Sequence, residues 1–176
     1  MSIRDRGIVT GAYPPLIIVM PFGAEIANNS SGGDNSFEGV VLNDLIPYIE
    51  DQYCIWPAAA GRAIGGLSRG AYWSLEIAFR HPELFAAVGG HSAAVGPAIA
   101  GPAYHPLSTG QNPELAGLPI YLDIGDQDWL REGVFDLHDV LTAAGVPHTW
   151  QVNPGVHENA YWTEHAAEYL AWYASH

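Results

Sequence analysis

Short apolar runs alternate with amphipathic stretches along the chain, a pattern that predicts βα units around a mainly parallel sheet. The first run, Leu16-Ile17-Ile18-Val19-Met20, is continuous and branched and is stopped by Pro21 and Gly23, as expected of a strand buried on both faces. A polar stretch over 28–36 contains Gly32 and Gly33 and reads as a loop. Behind Ser36, a candidate N-cap, Phe37, Val40, Val41, Leu45 and Ile49 recur at helical spacing, which predicts a helix to about Gln52. Further strands are expected over 62–67, 85–90, 118–124 and 148–152. Helices are expected over 69–80, from Trp129 until Gly145 and Pro147 close it, and over 158–174. The connection over 94–116 is punctuated by Pro and Gly and is longer than an ordinary βα loop, a length that is often functional. The expectation is one α/β domain, 1–176, with a sheet of about five strands and no internal repeat or linker.

Composition narrows the possible chemistry. The 176 residues fit one ordinary domain, and 48% hydrophobic with 14% charged residues describes a chain that folds rather than a disordered one. The net charge is -13, and all 6 basic residues are Arg. Such a chain repels polyanions, so neither nucleic acid nor an anionic membrane is an expected partner, and a neutral substrate is favoured over an acidic one. A single cysteine, Cys54, excludes an internal disulfide framework and a thiolate zinc cluster; it is expected to be a small buried hydrophobe. No apolar run reaches the length of a spanning helix, and the start Met-Ser-Ile-Arg-Asp-Arg has no signal-like apolar region. As written, the chain is expected in the cytoplasm.

The sharpest motif is Gly66-Leu67-Ser68-Arg69-Gly70, a G-x-S-x-G where a strand ends and a helix begins. There a serine on a tight, strained turn lifts its hydroxyl above the sheet, and glycines two residues to either side avoid collisions. The helix points its positive end at the same spot, and the Arg69 amide can face a developing oxyanion. A serine nucleophile needs a base and an acid from the ends of later strands. The fourth strand runs into Gly125-Asp126-Gln127-Asp128 and the fifth into Asn153-Pro154-Gly155-Val156-His157. Asp128 is the expected acid because the chain turns off the strand before offering it. Asp126 is the alternative, and Asp123 would still lie within the strand. Asp128 could equally cap the next helix, and the three aspartates together could suggest a cation site, although EF-hand spacing is lacking.

Of the eight histidines, His157 alone follows a strand in a Pro/Gly-shaped loop, and it is the expected general base. His81, before Pro82, is expected to cap a helix end, and His91 to bond at the core edge or pocket rim. No H-E-x-x-H or Cys/His quartet occurs, so neither a catalytic metal nor another cofactor is expected. Phe22, Trp73, Trp129, Tyr161 and Trp162 are candidate walls of a substrate pocket, with an ordinary core role as the alternative for each.

Taken together, Val19-Met20-Pro21 with a Gly shortly after, Asn43-Asp44-Leu45-Ile46-Pro47-Tyr48-Ile49-Glu50, Gly65 to Gly70, His81-Pro82-Glu83-Leu84-Phe85, and Gly155-Val156-His157 with Trp162 resemble the putative-esterase family of α/β-hydrolases. That family includes feruloyl and acetylxylan esterases, S-formylglutathione hydrolases, enterochelin esterases and mycolyltransferases. The resemblance implies a three-layer α/β-hydrolase-like fold and a serine esterase acting on a small ester, with Ser68, Asp128 and His157 as nucleophile, acid and base. It also implies either a naturally shortened form or a chain that is part of a longer gene product, because family members carry earlier strands, one of which supplies an oxyanion-hole amide and lies between the segment 16–20 and the nucleophile strand. In its absence those two segments are expected to pair or leave an open edge that favours a homo-oligomer, and amides of Phe22 and Gly23 are the candidate second oxyanion donors. A degenerate fold that binds without turnover and an acyltransferase are the alternatives.

Overall fold

The structure, a computed structural model, describes residues 3–96 and 100–176. Met1, Ser2 and residues 97–99 of the expected 94–116 connection lie outside the described residues. The elements follow the apolar pattern closely from residue 36 onward. Ser36 Oγ accepts from the Glu38 amide and caps α3 (Phe37–Gly39), which continues through a π-helical stretch, Val40–Leu45, into α4 (Ile46–Gln52). The widening has a local cause: Pro47 has no N–H to give the preceding turn, and the Ile46 amide bonds back to Val41 O. Two short helices precede this unit, α1 (Ile3–Thr10) and α2 (Ala24–Asn29).

The remaining chain alternates strand and helix: β1 (Ala63–Leu67), α5 (Arg69–Arg80), β2 (Ala87–His91), α6 (Pro106–Thr109), β3 (Ile120–Gly125), α7 (Arg131–Ala143), β4 (Thr149–Asn153) and α8 (Asn159–Tyr173). The strands form one parallel sheet in the order β1-β2-β3-β4. Because the order always advances the same way, right-handed crossovers send α5, α6 and α7 to one face. The other face is left to α8, against which α1 packs. On the α5 side the core is filled by Leu75, Ile77, Phe79, Val88, Leu122, Val134, Leu137 and Leu141. On the α8 side the sheet presents a floor of glycine: a Cβ at Gly65 or Gly89 would collide with the Tyr173 hydroxyl, so that ring lies across two strands.

The expected strand at 16–20 does not form. Residues 14–23 have no regular structure, and Ile17 (49% exposed), Met20 (86%) and Phe22 (93%) face outward. An apolar run becomes a strand only when a ladder accepts it, and the sheet ends at β1, which exposes Ala63, Gly65 and Leu67 in alternation. Among the described residues the sheet therefore has four strands rather than about five. Cys54, in the irregular stretch after α4, is exposed rather than buried.

At the far end of α5 sits a buried ionic cluster. Glu38 pairs with Arg80 and, at 2.8 Å, with His81 Nε2, while Glu76 lies 3.4 Å from Arg80. His81 is the C-cap residue of α5, as expected, its amide donating to Ile77 O at 3.0 Å, and its side chain goes to Glu38. Burial, with the Glu38 charge beside it, pushes the Glu76 carboxyl up to about 8 despite Arg80, and its Oε2 has no hydrogen-bond partner among the described residues. Among the described residues no helix is long and apolar enough to cross a membrane.

Candidate active site

Parallel strands deliver their exit loops to one end of the sheet, and three of these loops converge there. After β1 the chain turns at Ser68, whose φ of 53° and ψ of -115° are strained for a residue with a side chain. The turn is held on both sides: the Ser68 amide donates to His91 O at 2.9 Å, and its carbonyl accepts from Tyr72 N and Ala94 N at 3.1 Å. Gly66 permits it, because a Cβ there would collide with the Gly70 backbone. Gly70 has open space where its own Cβ would be, so the expected steric need holds on one side only. Arg69 opens α5, and its amide has no intrahelical acceptor.

Beyond β3, the Gly125 carbonyl accepts from the Asp128 amide, and the Asp128 side chain is fully buried. Its Oδ1 accepts from the Leu130 amide at 2.8 Å, just ahead of α7, while both carboxylate oxygens receive His157 Nδ1, at 2.8 and 3.1 Å. With Nδ1 protonated toward an acceptor-only carboxylate, Nε2 carries the lone pair. It lies 2.9 Å from Ser68 Oγ. The capping-type bond and the bond to histidine, open as alternatives in the sequence, coexist on one side chain.

Asp126 takes a different position. Its Oδ1 accepts from the Gly155 amide, and the amides of Asp126 and Gln127 donate to Asn153 O and Gly155 O. These bonds lace the exit loops of β3 and β4 together, which fixes the approach of His157 to Asp128. Asp123 stays within β3, as expected, fully buried beneath α8. It accepts from His91 Nδ1 at 2.6 Å and from the Tyr161 and Tyr169 hydroxyls at 2.7 Å each. Burial raises its pKa, but the His91 hydrogen bond and charge and the two tyrosine hydroxyls outweigh this and hold the carboxyl below its ordinary value. The hydroxyls of Tyr161, Tyr169 and Tyr173 are pushed well above the usual tyrosine range by burial and by the Asp123 charge. The three aspartates of this segment thus have three separate partner sets, and among the described residues no group of three or more His, Cys, Asp or Glu side chains gathers as metal ligands would.

The aromatic candidates divide. Trp129, 75% exposed, stands with its ring 5.1 Å from that of His157. Trp162 meets the same imidazole edge-on at 4.9 Å, and its indole N–H donates to Ser92 Oγ at 3.1 Å. Trp73 is buried: its ring packs edge-on against Phe37 and Tyr72 and its N–H donates to Ala27 O, so it belongs to the core rather than to a pocket wall. Phe22 lies near the end of the irregular segment and projects outward. The reason for expecting Phe22 and Gly23 near the nucleophile, a strand 16–20 beside β1, is absent. What ties that region to the site is Ala27 O, which also accepts from Arg69 Nε at 2.9 Å and lies one helical turn from Gly23. Ser92, with φ of 50°, had no motif in the sequence to mark it; its role as the Trp162 acceptor depends on a contact across 70 residues.

Comparison with known proteins agrees with this architecture. An endo-1,4-beta-xylanase/feruloyl esterase of Xylanibacter ruminicola is 29% identical over 176 residues, covering 97% of this chain and 21% of that protein. The chain spans about a fifth of the length of the curated relatives it matches. Among solved structures, a ferulic acid esterase superposes with a TM-score of 0.85 at 23% identity, over 98% of this chain and 76% of that one. An enterochelin esterase of Shigella flexneri superposes at 0.78 with 20% identity, over 94% of this chain and 44% of that one. Both share the fold. With residues 4–173 matching the family described as Putative esterase, and the sheet and its exit loops arranged as above, the chain belongs to that family.

Proposed function

We propose that the chain is a serine carboxylic-ester hydrolase in which Ser68, His157 and Asp128 form the catalytic triad. The observation that carries this reading is the continuous relay from the Asp128 carboxylate through His157 to Ser68 Oγ, with bonds of 2.8 and 2.9 Å. In the proposed reaction Ser68 Oγ attacks the ester carbonyl while its proton passes to His157 Nε2, and Asp128 stabilises the imidazolium. The tetrahedral intermediate collapses as His157 returns the proton to the departing alcohol. Water, deprotonated by the same imidazole, then releases the acid from the acyl-enzyme. The Arg69 amide is one oxyanion donor. The second is assigned to the Phe22–Gly23 turn, supported by the Ala27 carbonyl that ties α2 to Arg69 and Trp73.

Two features favour an aryl-bearing, uncharged ester. Trp129 and Trp162 flank His157, and the net charge of -13 disfavours anionic substrates. The relatives named as feruloyl and ferulic acid esterases are consistent with this class. One experiment tests the reading: label the protein with a fluorophosphonate, locate the adduct by mass spectrometry, and follow hydrolysis of 4-nitrophenyl acetate and methyl ferulate. An adduct on Ser68 and loss of turnover in Ser68→Ala are expected. Equal rates in wild type and Ser68→Ala, with no adduct, would leave a binding module without turnover.

A further inference from the structure

Ser92, the first residue after β2, is fully buried and carries a φ of 50°, a backbone conformation that favours glycine. Its backbone is locked beside the nucleophile. The Ser92 amide donates to Asp123 O at 2.9 Å, the preceding carbonyl of His91 accepts from the Ser68 amide at 2.9 Å, and the Ala94 amide donates to Ser68 O at 3.1 Å. On this fixed point Ser92 Oγ accepts from the indole N–H of Trp162 at 3.1 Å, and the indole meets the His157 imidazole edge-on, ring centroids 4.9 Å apart and planes at 88°. Glycine would relieve the backbone at position 92 but would take the acceptor from this N–H, on a half-buried ring.

We infer that Ser92 is a positioning residue for His157, acting through Trp162, and that it matters most while Ser68 is acylated. This role presupposes the proposed triad of Ser68, His157 and Asp128. In the free protein the imidazole is held at both ends, Nδ1 by Asp128 and Nε2 by Ser68 Oγ at 2.9 Å. Once Oγ has formed the acyl ester, its proton has left with the alcohol and its hydrogen bond to Nε2 is gone. Asp128 still holds Nδ1, but the far end of the ring can swing through its side-chain torsions unless packing braces it. Of the two indoles beside it, Trp129 is 75% exposed, whereas Trp162 is pinned by Ser92 to the same segment that holds both backbone groups of Ser68. The segment 91–94 therefore sets the base and the acylated serine against one frame, so that water meets a lone pair already aimed at the ester carbonyl.

The role is tested by hydrolysis of 4-nitrophenyl acetate, whose leaving group departs without needing a proton, so that acylation is fast and kcat reports deacylation. Concentrations are set by fluorophosphonate titration of Ser68, so that unfolded chains do not count. In Ser92→Gly, kcat is expected to fall ~10-fold while kcat/KM stays within about 3-fold of wild type, so that KM falls as well. A burst of one nitrophenolate per labelled site then precedes the slow phase. Trp162→Phe, which keeps a ring against His157 without the N–H, should give the same profile, and the double variant should be no slower than either single one. Trp162→Phe also serves if the glycine variant does not fold. A kcat per labelled site equal to wild type in both variants, equal falls in kcat and kcat/KM, or additive losses in the double variant would overturn the role of Ser92. A wild type that neither labels nor turns over would instead remove the triad, and with it the role of Ser92.

Discussion

Two histidine–aspartate pairs stand at the carboxyl ends of these strands, and their surroundings separate them. In one, Asp128 lies beyond the end of β3 and holds His157, which keeps its second nitrogen for Ser68 and stands beside an exposed indole. In the other, Asp123 lies within β3 and holds His91, whose second nitrogen is bonded to the Tyr173 hydroxyl and whose ring is stacked on Tyr169 at 3.7 Å. The first pair leaves one valence open at the protein surface. The second closes every valence on three tyrosines of α8. An imidazole–carboxylate pair is therefore no sign of chemistry by itself; what counts is whether the far nitrogen meets a serine hydroxyl in reach of solvent or a tyrosine hydroxyl beneath a helix.

The widest separation between the pairs should come from removing each histidine. His157→Ala is expected to lower ester turnover by ~10⁴-fold or more while the melting temperature holds, and His91→Ala to do the reverse, losing stability with turnover per folded molecule kept within a few-fold. Parallel kinetics and thermal melts of the two variants check this, and similar profiles for both would erase the distinction. Next comes the buried carboxylate. Asp123→Ala strands His91 and the Tyr161 and Tyr169 hydroxyls without an acceptor, at an expected cost of ~3–5 kcal/mol, read from the urea midpoint. Asp123 is held below its ordinary pKa, so the stability it adds is present above pH ~4 and is lost as pH falls through its folded value.

Glu76 sharpens the same contrast from the other side, as a buried carboxyl with no imidazole or tyrosine closing on it. Its pKa is pushed up to about 8, so the folded state holds a proton that the unfolded chain gives up near pH 4.5. Stability tied to this group is full at low pH and is lost as pH rises toward 8. Glu76→Gln cannot ionise and should match wild type at pH 5 but melt about 2–4 °C higher at pH 8.5. Melting curves at the two pH values decide it; an equal offset at both would mean that Glu76 does not titrate in this window.

Much of this site was legible in the sequence because each element carries its own punctuation. Gly66 and Gly70 bracket Ser68, Gly125 precedes Asp128, and Pro154-Gly155 precedes His157, so strand ends and side chains could be placed from local spacing. Partners that depend on distant residues could not. Asp126, weighed as an acid, clasps Gly155, and Trp73, weighed as a pocket wall, turns its N–H to Ala27 on a helix far earlier in the chain. The segment 16–20 misled for a related reason: its branched side chains satisfy every local rule for a strand, but pairing is a property of two segments, and no ladder receives it.

That segment also bears on any self-association of the chain. An uncharged, branched, exposed run is the kind of sequence that seeds intermolecular cross-β contacts. Here Pro14 and Pro15 stand on one side and Pro21 on the other, none with an N–H to offer, so a ladder growing on residues 16–20 stops at both ends. The -13 charge carried by each copy adds a long-range repulsion that weakens as salt rises. Prolines at the flanks of this short run and the ionic strength are thus the expected controls on self-association.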